Sequence, residues 1–170
     1  MTIHSSQPKR GFTLVETLVA IAILMIAIVG PFYSVQQAIM ASYASRDQLI
    51  ASSLAQEGAE YIYFLRDSNY LATANWLTGM SACTGSSGCM VDPTQNTITA
   101  CSGTCSPLNL SSNGLYTQAS GNAATRFTRT VKITPVPGTD YEVQVNVQVT
   151  WITEHQNFTV NVTDNLYNWL

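Results

Sequence analysis

The chain has 170 residues, a formal net charge of −3 and only 10% charged side chains, which leaves room for one modest domain plus a membrane-associated segment and for no second large core. Its two histidines, His4 and His155, cannot build a histidine-based metal cluster or a Ser-His-Asp constellation. No G-x-x-x-x-G-K-[ST] loop is present to cradle a phosphate. Catalysis by the chain itself, a metal and a cofactor are therefore not expected.

The first element is an apolar run from Phe12 to Phe32, interrupted only by the polar Thr13, Glu16 and Thr17, with no polar residue between Leu18 and Val29. Its length, about 20 residues, is what a bilayer core asks of a helix. Lys9 and Arg10 precede it and the next basic residue is Arg46. The positive-inside rule then predicts a single-pass protein with a cytoplasmic N-terminus. A cleavable secretory signal fits poorly, because the run passes through Gly30 and Pro31 into "FYSVQQ" without a small-x-small site. A plain signal anchor leaves Glu16 unexplained, since a carboxylate in hydrocarbon costs about 2.5–3.5 kcal/mol on insertion scales unless it is paired.

Lys9-Arg10-Gly11-Phe12-Thr13-Leu14-Val15-Glu16, followed by an unbroken apolar helix, resembles the class III signal of type IV pilins and type II secretion pseudopilins. The resemblance implies cleavage between Gly11 and Phe12 by prepilin peptidase, on the cytoplasmic face, and N-methylation of Phe12. Glycine suits the cut because the missing Cβ leaves the bond unshielded. The resemblance also gives Glu16 a task. In a filament it would pair with the Phe12 ammonium of a neighbouring subunit, neutralising both charges in an apolar bundle. The alternative is a carboxylate resting in the headgroup layer.

Beyond the bilayer the chain continues without proline to about Arg66, with Val35, Ile39, Ile50, Leu54, Tyr61, Ile62 and Leu65 at helical spacing. Gly30 and Pro31 should kink this helix, through a lost backbone hydrogen bond and ring crowding. The resemblance implies local unwinding there in assembled filaments.

Residues 68–125 are rich in Ser, Thr, Asn and Gly and carry Cys83, Cys89, Cys101 and Cys105. The C-x5-C-x11-C-x3-C spacing is a poor match to paired zinc knuckles, so disulfides outside the cytoplasm are expected. A hairpin is predicted with "MVD" and "TITA" flanking "PTQN". If Asp92 faces Ile98, Cys89 falls opposite Cys101, which favours a nested pairing with Cys83–Cys105 outside it. Local pairing, Cys83–Cys89 and Cys101–Cys105, is the alternative.

In the last third, Tyr141, Val143, Val145, Val147, Val149 and Trp151 alternate with polar residues, the period of a half-buried strand. "RFTRTVKI" before it and "NFTVNVTDNL" after it complete an antiparallel meander whose apolar face should pack on the outer half of the helix. Arg126 and Lys132 share one strand face and Arg129 the other, and all three are expected on a solvated surface. Asn109, Asn157 and Asn161 open weak N-x-[ST] matches.

The expected architecture is α+β and pilin-like: a cleaved leader over 1–11, a transmembrane and assembly helix over 12–33, its extracytoplasmic continuation over 34–67, the cysteine-bearing segment over 68–125 and the meander over 126–170. Four cysteines in the middle of the chain look more like a minor pilin or a pseudopilin than a major pilin. The expected function is a structural subunit of a type IV pilus-like filament, extracellular or periplasmic after assembly. Its partners would be prepilin peptidase, other pilin subunits, the inner-membrane assembly machinery and, before assembly, membrane lipid. A membrane-anchored binding module, such as a DNA-uptake or adhesion tip protein, is the alternative. Loss of Lys9 and Arg10 leaves five basic against ten acidic side chains, which argues against a broad electrostatic grip on DNA.

Overall fold

The computed structural model describes residues 11–153 and 155–168. Lys9, Arg10 and the leader up to residue 10 lie outside the described residues. The chain divides into two compact units, Met1–Ser45 and Arg46–Leu170. Helix α1, Leu14–Leu71, contributes residues to both.

In the first unit α1 is helical without interruption, Pro31 included. Every side chain from Phe12 to Ser45 is exposed, so the helix is apolar all round and has no packed face of its own. Val35 and Ile39, expected to begin an inward stripe, are 56% and 50% exposed.

The packed stripe starts further on, at Asp47, and continues through Ala51, Leu54, Ala55, Gly58, Ala59, Tyr61 and Ile62. These positions recur at helical spacing. Four of them are Ala or Gly, and this lets the helix axis approach the sheet. A Cβ on Gly58 would lie 3.0 Å from Val147 Cγ1 and 3.1 Å from Arg129 Cδ, closer than a side-chain carbon tolerates without a shift of its neighbours.

The helix outlasts its expected end near Arg66 and closes at Leu71. Ala74 N–H donates to the Asn69 carbonyl at 2.9 Å and Thr73 N–H to that of Tyr70 at 3.0 Å. This is a Schellman closure with Thr73 at φ 55 in the position usually given to glycine. The Asn69 side chain also donates to the Trp76 and Thr78 carbonyls, at 3.1 and 2.9 Å, which folds the following loop back on the last turn.

A single 3-10 turn, Ser81–Cys83, precedes eight strands: β1 Cys89–Asp92, β2 Thr97–Ala100, β3 Asn109–Leu110, β4 Tyr116–Thr117, β5 Ala123–Ala124, β6 Thr128–Pro135, β7 Glu142–Thr153 and β8 Gln156–Tyr167. The main sheet is antiparallel with order β2-β1-β6-β7-β8, so the expected meander β6-β7-β8 is extended by the hairpin of the cysteine segment. A second, three-stranded sheet, β4-β3-β5, occupies the rest of that segment.

Alternation along β7 holds from Val143 to Trp151, all buried against the helix stripe together with Val131, Ile133 and Leu166. Tyr141 departs from the expected pattern. It precedes the strand and is 55% exposed, beyond the reach of the helix face.

The β1–β2 hairpin forms where expected but one residue out of register. Asp92 pairs with Thr97 and Cys89 with Ala100. A single-residue slip reverses the side on which every partner projects, so Cys89 is not set against Cys101 and the nested pairing is not formed. The bridges are the local ones, Cys83–Cys89 and Cys101–Cys105, with Cα separations of 4.5 and 4.9 Å.

Candidate functional site

Gly11 and Phe12 lie ahead of α1, outside any helix or strand, and both are exposed. Phe12 is 81% exposed and nothing lies within 4 Å of a Cβ built on Gly11. Helix capping begins one residue later. The Thr13 carbonyl accepts the first helical bond from Thr17 N–H at 3.2 Å, and its hydroxyl oxygen accepts from Glu16 N–H at 3.3 Å.

Thr13-x-x-Glu16 is thus a capping-box sequence with Thr13 at the N-cap. The T-x-x-E pattern overlaps the processing motif in the sequence. It holds Glu16 in the first turn, where the positive end of the helix dipole favours a carboxylate. Removal of the leader would leave Phe12 as the residue just before the cap. The new ammonium and Glu16 then sit within one turn of the same helix end, surrounded by exposed Leu14, Val15 and Leu18.

At Gly30 and Pro31 the chain stays helical. Pro31 cannot donate to the Ala27 carbonyl, while the Ser34 hydroxyl donates to the Gly30 carbonyl at 3.2 Å. In the single subunit the helix is continuous through residues 30–33; the unwinding implied by the resemblance belongs to the assembled filament.

In the second unit the basic residues correct the expectation of a solvated group. Lys132 is exposed, but Arg129 is fully buried. Its guanidinium donates to the Leu54 carbonyl at 3.0 Å, the Val91 carbonyl at 2.8 Å and the Glu57 carboxylate at 2.5 Å. It thereby ties the helix to β1 from β6. Alternation along β6 sets Arg129 on the buried face with Val131 and Ile133. Gly58 clears the path for its stem. Arg126 is paired too, with Asp47 at 2.9 Å, and Asp47 is 3% exposed. A charge on the helix thus meets a charge on the segment leading into β6 at the start of the packed stripe.

Asp92 is the other buried charge. Its carboxylate accepts from Thr94 N–H and hydroxyl, Gln95 N–H, the Thr117 hydroxyl at 2.6 Å and Gln118 N–H at 2.6 Å. Burial alone would raise its pKa, but the bonds from Thr117, Thr94, Gln118 and Gln95 outweigh it and hold the carboxyl below its ordinary value. Asp92 fastens the β1–β2 turn to the small sheet. No group of three or more His, Cys, Asp or Glu suited to a metal occurs among the described residues.

A family model of the prokaryotic N-terminal methylation motif matches residues 7–30. No curated protein and no solved structure matches the chain. The matched segment and the long apolar helix fit the type IV pilin family, and a long N-terminal helix packed by its second half on an antiparallel sheet is the pilin-like α+β architecture. The motif implies processing by prepilin peptidase and assembly with other pilins. The apolar helix is long enough to anchor the chain in a membrane before assembly.

Proposed function

We propose that the chain is a minor pilin or pseudopilin: a non-catalytic structural subunit that is cut after Gly11, methylated on Phe12 and built into a type IV pilus-like filament through α1. The observation that carries this reading is the methylation motif at residues 7–30 on a helix whose apolar side chains are exposed on every side. Such a surface is stable in lipid, and it is equally suited to burial among copies of the same helix once the subunit leaves the bilayer.

Glu16 supplies the directionality in this reading. In lipid it is a cost. In a bundle it pairs with the Phe12 ammonium of a neighbour, and the partner stays neutralised only when the helices stack in register. Two variants separate this role from helix capping. Glu16→Gln keeps a hydrogen-bonding side chain at the capping position and removes the charge; Glu16→Val removes both.

Both variants are expected to insert and to be cut, with the mature N-terminal peptide found by mass spectrometry. Both are also expected to be lost from sheared filaments, because an unpaired buried charge costs about 3–5 kcal/mol. Recovery of Glu16→Gln in filaments at the wild-type level, with equal membrane amounts, would assign Glu16 to capping and refute the pairing. A bulky residue at Gly11 should leave an uncleaved membrane precursor.

A further inference from the structure

The solvent face of the main sheet holds a cavity that processing and assembly through α1 leave unused. The alternation that buries Arg129, Val131 and Ile133 turns Thr128, Thr130 and Lys132 outward on β6. On β7 the outward residues are Asn146, Gln148 and Thr150. The strand register sets them in rows, Thr128 beside Thr150, Thr130 beside Gln148 and Lys132 beside Asn146.

Two disulfide-closed loops wall this floor into a cavity of about 470 Å³: Ser86–Gly88, inside the Cys83–Cys89 bridge, and Gly103–Cys105, at the Cys101–Cys105 bridge. Gly88 is what lets the first wall stand against β6. It is at φ +69, and a Cβ there would fall 2.7 Å from the Val131 carbonyl oxygen.

The chemistry of the lining is narrow. Neither a carboxylate nor an aromatic ring lines the cavity. Hydroxyls and side-chain amides dominate, and those of Ser87, Thr128, Thr130, Gln148 and Thr150 have no hydrogen-bond partner among the described residues. Lys132 is the one cation, and unlike Arg126 and Arg129 it has no acidic partner there. The same polar character continues onto β8, where Thr159, Asn161 and Thr163 stand opposite Thr150, Gln148 and Asn146 and are exposed.

We infer that this cavity binds a short oligosaccharide carrying an acidic sugar. The sugar carboxylate pairs with Lys132, and the ring hydroxyls exchange hydrogen bonds with Thr130, Gln148 and Thr150, which can each donate and accept. The alternatives fit less well. An apolar ligand finds no apolar wall of the usual kind. A nucleic acid strand finds one cation and no ring on which to stack a base. A peptide strand finds both edges of β7 occupied, by β6 and β8, and β6 bridged to β1 at Val131 in the middle of the cavity. The inference does not depend on the chain's place in a filament.

The test is titration of the full mature chain in detergent micelles with trigalacturonate, followed by calorimetry. Maltotriose serves as the neutral control and triglutamate as the acidic peptide control. Saturable binding of trigalacturonate is expected, with Lys132→Gln weakening it about tenfold, the worth of one charge-assisted hydrogen bond. Gln148→Ala and the nearly isosteric Thr130→Val should each weaken it several-fold at an unchanged thermal midpoint. Maltotriose should bind more weakly and be indifferent to Lys132→Gln. Absence of saturable trigalacturonate binding to the folded wild type would overturn the inference. So would equal binding of triglutamate, or binding that none of the three substitutions changes.

Discussion

The two halves of α1 are one continuous helix built for two different surroundings. Up to Ser45 it is rich in large Ile, Leu and Val side chains, all exposed. From Asp47 onward half of its buried positions are small, Ala51, Ala55, Gly58 and Ala59, and they lie under a sheet of valines. Large side chains suit a surface whose partners are lipid or other helices at variable distance. Small ones suit a partner chain fixed in the same fold, where close approach allows dense packing. The difference also explains where charge sits. The packed half takes Arg129 and Arg126 across its boundary and pairs each with a carboxylate, Glu57 and Asp47, while the apolar half retains Glu16, whose partner is expected from another molecule.

The comparison is broken most severely by Arg129→Ala. Loss of the guanidinium removes one donor each from the Leu54 and Val91 carbonyls, leaves Glu57 without its cation and opens space above Gly58. A loss of about 3–5 kcal/mol is expected, read from urea unfolding of the second unit within the intact chain. Ile23→Ala, at a side chain 63% exposed, should change the same midpoint by no more than about 0.5 kcal/mol. Equal effects from the two would erase the distinction between the halves.

Joint replacement of Cys83 and Cys89 by Ala comes next. The bridge closes a short loop, so the expected cost is about 2 kcal/mol. Peptide mapping without reduction should find Cys83 linked to Cys89 and Cys101 to Cys105, and a Cys89–Cys101 peptide would contradict the observed register.

The smallest effect is expected at Asp92. Its folded pKa lies below the ordinary value of 3.8, so its contribution is present above that value and is lost as the pH falls through the folded one. Acidification from pH ~6 to ~3 should therefore destabilise the wild type more than Asp92→Asn, by at most about 1 kcal/mol. Parallel pH profiles for the two would show that the carboxylate does not hold the turn to the small sheet.

Local chemistry decided much of this protein. The apolar run, the basic-Gly-Phe-Glu pattern and the period-two alternation of β7 are each contained in a short window of residues, and each describes what a segment does with its nearest surroundings. The N-cap at Thr13 belongs with them, since T-x-x-E spans a single helical turn. What the sequence could not determine depends on how segments distant in the chain are set against each other. The hairpin slipped by one residue because the register of a four-residue strand is settled by its neighbours, Val131 of β6 among them, and that slip chose the local disulfides over the nested pair. Arg129 was read as solvated because a charged residue on a short strand usually is. Only contact with Gly58, Leu54 and Glu57, more than seventy positions away in the chain, supplied the space and acceptors that make burying a guanidinium stable. The helix likewise runs past Arg66 to Leu71 and closes with Thr73 in the left-handed region, where the loop from Trp76 to Thr78 folds back to bond Asn69. Hydrophobic period and turn chemistry are encoded within a few residues; register, charge burial and cavity shape are properties of surfaces brought together, and only the folded chain decides them.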